Sequence, residues 1–426
     1  MAGEHREKVL RNCRYIFTQD PERKVLEDKD IRIKDGEIAE IGEELEGEEV
    51  LDCSDRAVFP GLINLHTHVA MTVLRGISDN KRLEDWLEED IFPAEEKLGE
   101  EEVRNGAELG IAEMLKTGTT CFNDMYFHCD AIADAVRQTG IRAVISYGLA
   151  DMEDDIQDQL KKCEDFIEEN ADEDRITPAV GPHAVYTCSP ELLKGARKIA
   201  DEYAVPYHIH LSETQKENQD CIDENGSTPT EHLEELGLLG PDVVAAHGVW
   251  LTEEDMDILE ERGVGIAHNP AANLKLGSGI AEIDELGGRL QVGIGTDGPA
   301  SNNSLDMLEE GKIASLLQKL DDPETLTEQE VLDMMTVNAA EILGMEDRTG
   351  SIEEGKKADL FTVELGQVAM TPHYGPRGVL SDLVFSGPEV AETMVGGEIL
   401  YRDGEFSSID GEKVMEEVQD LSDRLS

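Results

Sequence analysis

Histidine and aspartate residues recur at the ends of short apolar runs, and this recurrence constrains the fold more than any other feature of the sequence. Each run has the length of a buried strand, and amphipathic helical patterns separate the runs. The residues are His66, His68, His183, His210, His247 and Asp297. Converging imidazole nitrogens and a carboxylate can bind a divalent metal ion with an open position, which can turn water into a nucleophile. The pattern therefore predicts a metal-assisted hydrolase.

The central part of the chain, residues 61–345, predicts an α/β fold of the (β/α)8 TIM-barrel type. Strictly alternating strands and helices indicate a parallel sheet, and the size of this region fits eight such units. An open, doubly wound sheet is the alternative, but no GxGxxG fingerprint follows the first strand. The predicted strands begin near Leu62, Thr119, Arg142, Thr177, Pro206, Val243, Val264 and Val292.

Both chain ends are rich in predicted strands and together predict one small β-sandwich domain. Residues 1–60 contain alternating runs joined by the hairpin turn Asp35-Gly36. Residues 346–410 contain a second hairpin at Gly396-Gly397. The final segment, residues 411–426, is charged and predicted to be helical, with no assigned function.

The charge balance is strongly acidic, with 95 Asp and Glu against 37 Lys and Arg and a formal net charge of −58. Such a protein repels nucleic acid and anionic membrane surfaces, so the sequence argues against both as partners. Molar salt shortens the Debye length to about 3 Å and relieves the self-repulsion. Because the acidic excess covers the whole chain, it indicates adaptation to a high-salt cytoplasm, as in halophilic archaea.

The seven cysteines are irregularly spaced and form no CxxC pair, which argues against a disulfide framework. The N-terminal residues lack the apolar core of a signal peptide, and no apolar run is long enough to cross a bilayer. These features predict a cytoplasmic protein.

The spacing of the candidate residues suggests individual roles. His66 and His68 are two residues apart and face the same side of one strand, where His210 can supply a third nitrogen. Asp297 can ligate a metal ion or accept a proton from its water. Glu213 follows a strand end, where a carboxylic acid can protonate a ring nitrogen of a substrate, although a solvated loop residue is the alternative for a lone Glu.

His247 and the fourth strand add two further points. His247 can orient the attacking water, or it can be a satisfied core histidine. The fourth strand, residues 176–186, carries His183 and no lysine. Two-metal sites on this architecture commonly use a modified lysine at the end of that strand, so the sequence predicts a single metal ion.

Several motifs, in this order, resemble the amidohydrolase superfamily over nearly the whole chain. Within it the chain is most similar to 5′-methylthioadenosine/S-adenosylhomocysteine deaminases, including archaeal 5′-deoxyadenosine deaminases. The motifs are Pro60–His68, His208–Thr214, His268–Pro270, Asn273–Leu276, Gly295–Gly298 and Ser301–Asn303.

The resemblance implies a metal centre and a set of catalytic groups. The ion would be zinc, with iron(II) as the alternative. Glu213 and Asp297 would bind the substrate and move protons, and His247 would assist the hydroxide. The implied metal ligands are His66, His68, His210 and Asp297.

The resemblance also implies substrate contacts. Glu84 would bind ribose hydroxyls, Trp86 would help to enclose the nucleoside, and His183 would contact it. One segment departs from the pattern, because some members that favour S-adenosylhomocysteine carry an arginine on the third strand, where this chain has Tyr147. Tyrosine cannot form a bidentate ion pair with a carboxylate, so a smaller or uncharged 5′ group is expected to be favoured.

The expected reaction is metal-dependent hydrolytic deamination of adenosine-type nucleosides to the inosine analogue and ammonia. The expected substrates are 5′-methylthioadenosine, S-adenosylhomocysteine, 5′-deoxyadenosine and, as a further candidate, adenosine. The alternatives are a deaminase or chlorohydrolase of a free base or triazine, and a non-catalytic scaffold on the same fold. The expected partner is a small-molecule nucleoside, and a homo-oligomer is expected.

Overall fold

The computed structural model describes residues 7–151, 155–320 and 322–425, and its strands form two sheets. Five strands precede the barrel: β1 Lys8–Phe17, β2 Val25–Lys34, β3 Glu37–Gly42, β4 Glu49–Asp52 and β5 Arg56–Pro60. The barrel strands are β6 Leu62–Thr67, β7 Thr119–Tyr126, β8 Arg142–Leu149, β9 Ile176–Pro182, β10 Tyr207–Leu211, β11 Val243–His247, β12 Gly265–His268 and β13 Val292–Ile294. The last strands are β14 Leu360–Glu364, β15 Val390–Val395, β16 Glu398–Arg402 and β17 Glu405–Phe406.

The eight central strands pair in chain order and all run parallel. The first and last of them are joined near their carboxyl ends, where the Asp297 N–H donates to the His66 carbonyl at 3.0 Å. Asn64 adds a side-chain link, because its amide nitrogen donates to Thr296 Oγ1 at 2.7 Å. The predicted (β/α)8 barrel is therefore confirmed.

Helices alternate with the barrel strands and cover their outer face. Several helices begin after an N-cap threonine, as at Thr228 and Thr252, whose hydroxyl accepts a hydrogen bond from the backbone N–H of the third helical residue. The carboxylate of that third residue accepts in turn from the backbone N–H of the threonine. The helices are α1 Leu83–Trp86, α2 Phe92–Glu95, α3 Glu100–Lys116, α4 Cys129–Thr139, α5 Ile156–Asn170, α6 Pro190–Tyr203, α7 Gln215–Asn225, α8 Pro229–Leu236, α9 Glu253–Arg262, α10 Pro270–Lys275, α11 Ile283–Gly287, α12 Met307–Gln318, α13 Glu328–Met335, α14 Val337–Ile342, α15 Gly375–Ser386 and α16 Gly411–Leu425.

The nine remaining strands come from both chain ends and belong to one hydrogen-bonded sheet. The two parts of the chain contact each other within it, since the Lys8 ammonium donates to the Gly397 carbonyl at 2.7 Å. Ile31 and Ile33 from the first chain end share a core with Leu360 and Met394 from the second. The sheet thus packs on itself as a small terminal β domain.

The last helix, α16, packs against α3 through the buried side chains of Val414, Val418 and Leu421. The long connection after β6 contains α1 and α2, a 3-10 helix at Val69–Leu74 and a π-helical turn at Leu87–Ile91, before α3 begins. It supplies one wall of the cavity described below. No helix among the described residues has the length and apolarity needed to cross a membrane.

Candidate active site

The candidate residues lie at the carboxyl ends of the first, fifth, sixth and eighth barrel strands. His66 lies within β6, His210 within β10 and His247 at the end of β11, while His68 and Asp297 follow their strands closely. His247 and Asp297 have left-handed backbone conformations, with φ of 77° and 59°. Non-glycine residues seldom adopt this conformation, which concentrates at functional sites. The barrel therefore brings these residues from distant parts of the chain to one place.

Four of these side chains form a compact cluster of ligand atoms. Asp297 Oδ1 lies 3.4 Å from His66 Nε2 and 3.3 Å from His68 Nε2. His210 Nε2 lies 3.3 Å from His68 Nε2. Ligand atoms about 2.1 Å from a tetrahedral ion are about 3.4 Å apart, and these three distances match that value. His66 Nε2 is buried and has no hydrogen-bond partner among the described residues, as expected for a nitrogen that faces an ion.

Further hydrogen bonds fix the orientation of the cluster. His210 Nδ1 donates to the His183 carbonyl at 2.7 Å, and His68 Nδ1 donates to the Met125 carbonyl. Ser301 Oγ donates to Asp297 Oδ2 at 2.7 Å, which leaves Oδ1 for the cluster. Bonds of this kind hold each imidazole so that its other nitrogen presents a lone pair to a metal ion.

The pKa values in the cluster reflect burial and close pairing. Burial acts to raise the pKa of Asp297, but the adjacent His66 and His68 rings outweigh it and hold this pKa well below its usual range. Burial acts to lower the pKa of His68, but its bond to Asp297 prevails and raises the pKa to about 9. Burial lowers the pKa of His66 to about 3 and that of His210 well below its ordinary value. The aspartate is thus ionised and most of the imidazoles are neutral, the forms that bind a cation.

Glu213 lies beside this cluster and is buried, with 5% of its surface exposed, which excludes the solvated-loop alternative. Its Oε1 accepts from Ser278 Oγ at 3.0 Å, and its Oε2 lies 3.6 Å from His247 Nε2. Burial and then the charge of Asp297 raise the pKa of Glu213. The backbone of Glu213 is held by Glu217, whose Oε2 accepts its N–H at 2.7 Å. A carboxyl group in this position keeps its proton to a higher pH than a solvated one does.

His247 is also held in place by neighbouring side chains. Its Nδ1 donates to Asn273 Oδ1 at 2.8 Å, so that Nε2 points toward Glu213. The ring lies against His66 and His210, with centroids 5.4 and 5.5 Å away. The two ring nitrogens of His247 therefore face polar side chains, with Nδ1 toward Asn273 and Nε2 toward Glu213.

A cavity of about 640 Å³ opens from the cluster, within the usual size range of small-molecule sites. Trp86 and His183 line it, and Glu84 is absent from the described residues that do. The apolar part of the wall comes mostly from the long connection after β6 and from β7. Its members include Leu83, Trp86, Leu87, Ile91, Phe92, Met125 and Phe127.

Glu95 lines the cavity and was missed by the sequence analysis. One of its oxygens and the indole N–H of Trp86 are buried without a hydrogen-bond partner among the described residues. Burial raises the pKa of Glu95 to about 7, although the adjacent Tyr126 hydroxyl opposes the rise. In a chain with 95 acidic residues, nothing in the local sequence separates this Glu from its solvated neighbours. Buried unsatisfied groups that face a cavity indicate the position of a polar ligand.

Tyr147, Gln159 and Lys162 also line the cavity. The Lys162 ammonium is half exposed and lies 3.8 Å from an Asp158 carboxylate oxygen. Two arginines of the neighbouring segments, Arg142 and Arg75, are paired outside this region. Arg142 is buried against Asp359 with a 2.9 Å contact, and Arg75 pairs with Glu113.

A (β/α)8 barrel with imidazoles and a carboxylate gathered at the carboxyl ends of its strands has the architecture of metal-dependent barrel hydrolases. The chain belongs to the amidohydrolase family, whose sequence profile matches residues 57–400.

Individual proteins that are similar to this chain are named as deaminases. A 5′-deoxyadenosine deaminase from Methanobrevibacter smithii is 42% identical over 410 residues, which cover 92% of this chain and 93% of that protein. A 5-methylthioadenosine/S-adenosylhomocysteine deaminase from Thermodesulfovibrio yellowstonii is 40% identical over 431 residues, with coverage of 97% and 98%. The crystal structure of an adenosine deaminase from Xanthomonas campestris with bound zinc is 33% identical, has a TM-score of 0.95 and covers 98% of both chains.

Proposed function

We propose that this protein hydrolytically deaminates 5′-substituted adenosines, with 5′-deoxyadenosine and 5′-methylthioadenosine as preferred substrates. One observation carries the proposal: a single cavity joins the His/Asp cluster and buried Glu213 to the unsatisfied polar groups of Trp86 and Glu95. The His/Asp cluster and Glu213 suit attack on a purine, and the polar groups of Trp86 and Glu95 suit the binding of a ribose. The relatives named above have the same substrate class in their names.

The cluster is proposed to hold one divalent ion, zinc, with iron(II) as the alternative. The donor spacing of 3.3 to 3.4 Å supports a single small ion. Three nitrogens and one carboxylate oxygen match the ligands that zinc prefers. The proposed ligands are His66, His68, His210 and Asp297. When bound, the ion supplies Lewis acidity that turns water into a nucleophile near neutral pH.

The residues of this chain then move the protons. Asp297 accepts a proton from the water that attacks C6 of the purine. Glu213 donates its proton to N1 of the ring, which its raised pKa favours. His247 orients the attacking water through Nε2. As the C6–N bond breaks, Asp297 gives the proton that it took from the water to the leaving amine, and Glu213 takes the proton of the new C6 hydroxyl. Ammonia and the inosine analogue are released, and both carboxyl groups return to their starting forms.

The remaining contacts bind the nucleoside. The carboxyl group of Glu95, rather than that of Glu84, is proposed to accept hydrogen bonds from the ribose hydroxyls. Trp86 encloses the ligand and offers its indole N–H, and His183 contacts the nucleoside from the opposite wall. A bare base lacks the hydroxyls that would satisfy Glu95, which favours a nucleoside over a free base or triazine.

Several broader expectations stay proposals. We expect a cytoplasmic homo-oligomer adapted to high salt, without nucleic acid or membrane partners. We also keep the proposed domain boundaries, residues 61–345 for the barrel, and residues 1–60 with 346–410 for the terminal β domain.

A nucleoside panel tests the proposed function. The purified protein, in molar KCl with zinc, is assayed for ammonia release from adenosine, its 5′-deoxy, 5′-methylthio and homocysteinyl derivatives, adenine, guanine, cytosine and a chlorotriazine. The expected result is turnover of the adenosine derivatives alone. Preferential turnover of a free base or triazine would select the alternative, and a metal-loaded protein inactive on every compound would support a scaffold.

A further inference from the structure

A chain of buried polar side chains crosses the barrel interior beneath the cluster. His66 Nδ1 lies 2.9 Å from His208 Nε2, and His208 Nδ1 lies 3.2 Å from Ser146 Oγ. Ser146 Oγ lies 3.4 Å from Asn123 Oδ1, and Asn123 Nδ2 donates to the Leu65 carbonyl at 2.9 Å. The chain therefore starts on β6, passes through β10, β8 and β7, and returns to β6 at the residue before His66.

The far end of this chain determines the direction of every hydrogen bond. The Leu65 carbonyl can only accept, so it binds the NH2 of Asn123 and leaves the Asn123 oxygen facing Ser146. The Ser146 hydroxyl must then donate to that oxygen, and its Oγ accepts from His208 Nδ1. His208 Nε2 is left with a lone pair, which accepts from His66 Nδ1.

Because these side chains are buried, their hydrogen bonds cannot be exchanged for bonds to water. The exposed fractions are 0% for His66, Ser146 and His208 and 1% for Asn123. Water cannot replace a missing partner there, and a reversed bond would leave two donors or two acceptors facing each other. The only ring atom of His66 left without a partner among the described residues is Nε2, which faces Asp297 Oδ1.

We propose that His208, Ser146 and Asn123 form a positioning relay that fixes His66 as the tautomer with its lone pair on Nε2 and so sets the metal affinity of the site. The relay rests on the metal centre of the proposed function. It differs from the outer contacts of His68 and His210, which each donate directly to a backbone carbonyl. His66 instead donates to a second histidine, whose own tautomer must be fixed by Ser146 and Asn123.

The test measures divalent-ion affinity by chelator competition with zinc on the purified full-length protein. His208→Leu removes the acceptor for His66 Nδ1, and Ser146→Ala removes the group that fixes His208. Both variants should bind zinc about 10- to 100-fold more weakly than the wild type, the usual loss for such outer partners. His208→Gln can present an amide oxygen to His66 Nδ1, and it should recover most of the affinity lost in His208→Leu.

Two controls separate the relay from a general effect on folding. Ser227→Ala removes another buried serine hydroxyl, one that has no hydrogen-bond partner among the described residues, and it should leave zinc affinity unchanged. The melting temperatures of the metal-free variants show whether each is folded. Nitrogen-15 shifts of the His66 ring should report a protonated Nδ1 in the wild type and in His208→Gln.

Wild-type zinc affinity in folded His208→Leu and Ser146→Ala would overturn the relay. An equal loss in His208→Gln and His208→Leu would also overturn it, because the acceptor would not be the feature that matters. A wild-type protein that binds zinc in this cluster but deaminates no nucleoside would refute the proposed reaction, and the affinities of the variants would still decide the relay.

Discussion

Replacing Glu213 by glutamine tests the proton donor. The change keeps the size of a buried side chain and removes only its proton-transfer chemistry, since Ser278 Oγ can still donate to an amide oxygen. Removal of a general acid typically lowers kcat by about 10²- to 10⁴-fold. At about 1.4 kcal/mol for each tenfold change, this loss corresponds to about 3–5 kcal/mol.

The structure provides a matched control in Ser278→Ala. This substitution removes the 3.0 Å hydrogen bond to Glu213 but leaves the carboxyl group in place. A typical hydrogen bond contributes about 0.5–1.5 kcal/mol, which corresponds to roughly twofold to tenfold in rate. Glu213→Gln should therefore be at least tenfold slower than Ser278→Ala.

The assay is ammonia release at saturating 5′-deoxyadenosine, with metal content measured on the same samples. Both variants should retain a full complement of metal, because Glu213 is not a proposed ligand. If Glu213→Gln is no slower than Ser278→Ala, or if its slow turnover follows lost metal, Glu213 is not the acid.

Four further predictions concern the metal, the ribose, the 5′ group and salt. His66→Ala and Asp297→Ala should each lose bound metal and turnover together, and full metal occupancy with a normal rate in either would exclude that residue from the site. For Glu95, whose pKa is about 7, ionisation frees a second acceptor oxygen, so KM for 5′-deoxyadenosine should fall as pH rises through 7 and stay flat in Glu95→Gln. Lys162→Met should lower kcat/KM for S-adenosylhomocysteine by no more than about fivefold, since exposed ion pairs contribute about 0–1 kcal/mol, and should leave 5′-deoxyadenosine unaffected. The melting temperature should rise between low and molar KCl because salt screens the net charge of −58, and equal melting temperatures would contradict the halophile interpretation.

Much of the architecture follows from periodicity. The strand starts at Leu62, Thr119, Arg142, Val243 and Val292 agree with the structure, and the other three differ by one residue. Buried parallel strands form short, nearly continuous apolar runs, and amphipathic helices separate them, so each boundary has a strong local signal. The same rule locates the cluster, because parallel strands bring their carboxyl ends to one face of a barrel.

The cavity wall could not be predicted in the same way. The wall comes from the connection after β6, whose helical turns are too short to show a hydrophobic periodicity. This connection is also rich in acidic residues. Glu84 and Glu95 both lie in this connection, at the start of α1 and the end of α2. Only the packing that places Glu95 in the cavity wall beside Tyr126 separates a cavity residue from a surface residue, and that packing depends on contacts between distant segments.

Strand direction determines which cationic side chains can reach the 5′ group of a bound nucleoside. Arg142 begins β8, so it lies at the amino end of the barrel, where it is buried against Asp359. An arginine at the start of a parallel strand cannot reach a site at the opposite end, and the sequence alone could have excluded it.

Tyr147 lies near the carboxyl end of the same strand, and Lys162 reaches the cavity from α5. A half-exposed lysine near Asp158 does not replace a buried bidentate arginine, whose charge-assisted bonds are worth about 1.5–3 kcal/mol. S-adenosylhomocysteine should therefore remain about tenfold to a hundredfold poorer in kcat/KM than 5′-deoxyadenosine, and parallel kinetics that rank it first would refute this reasoning.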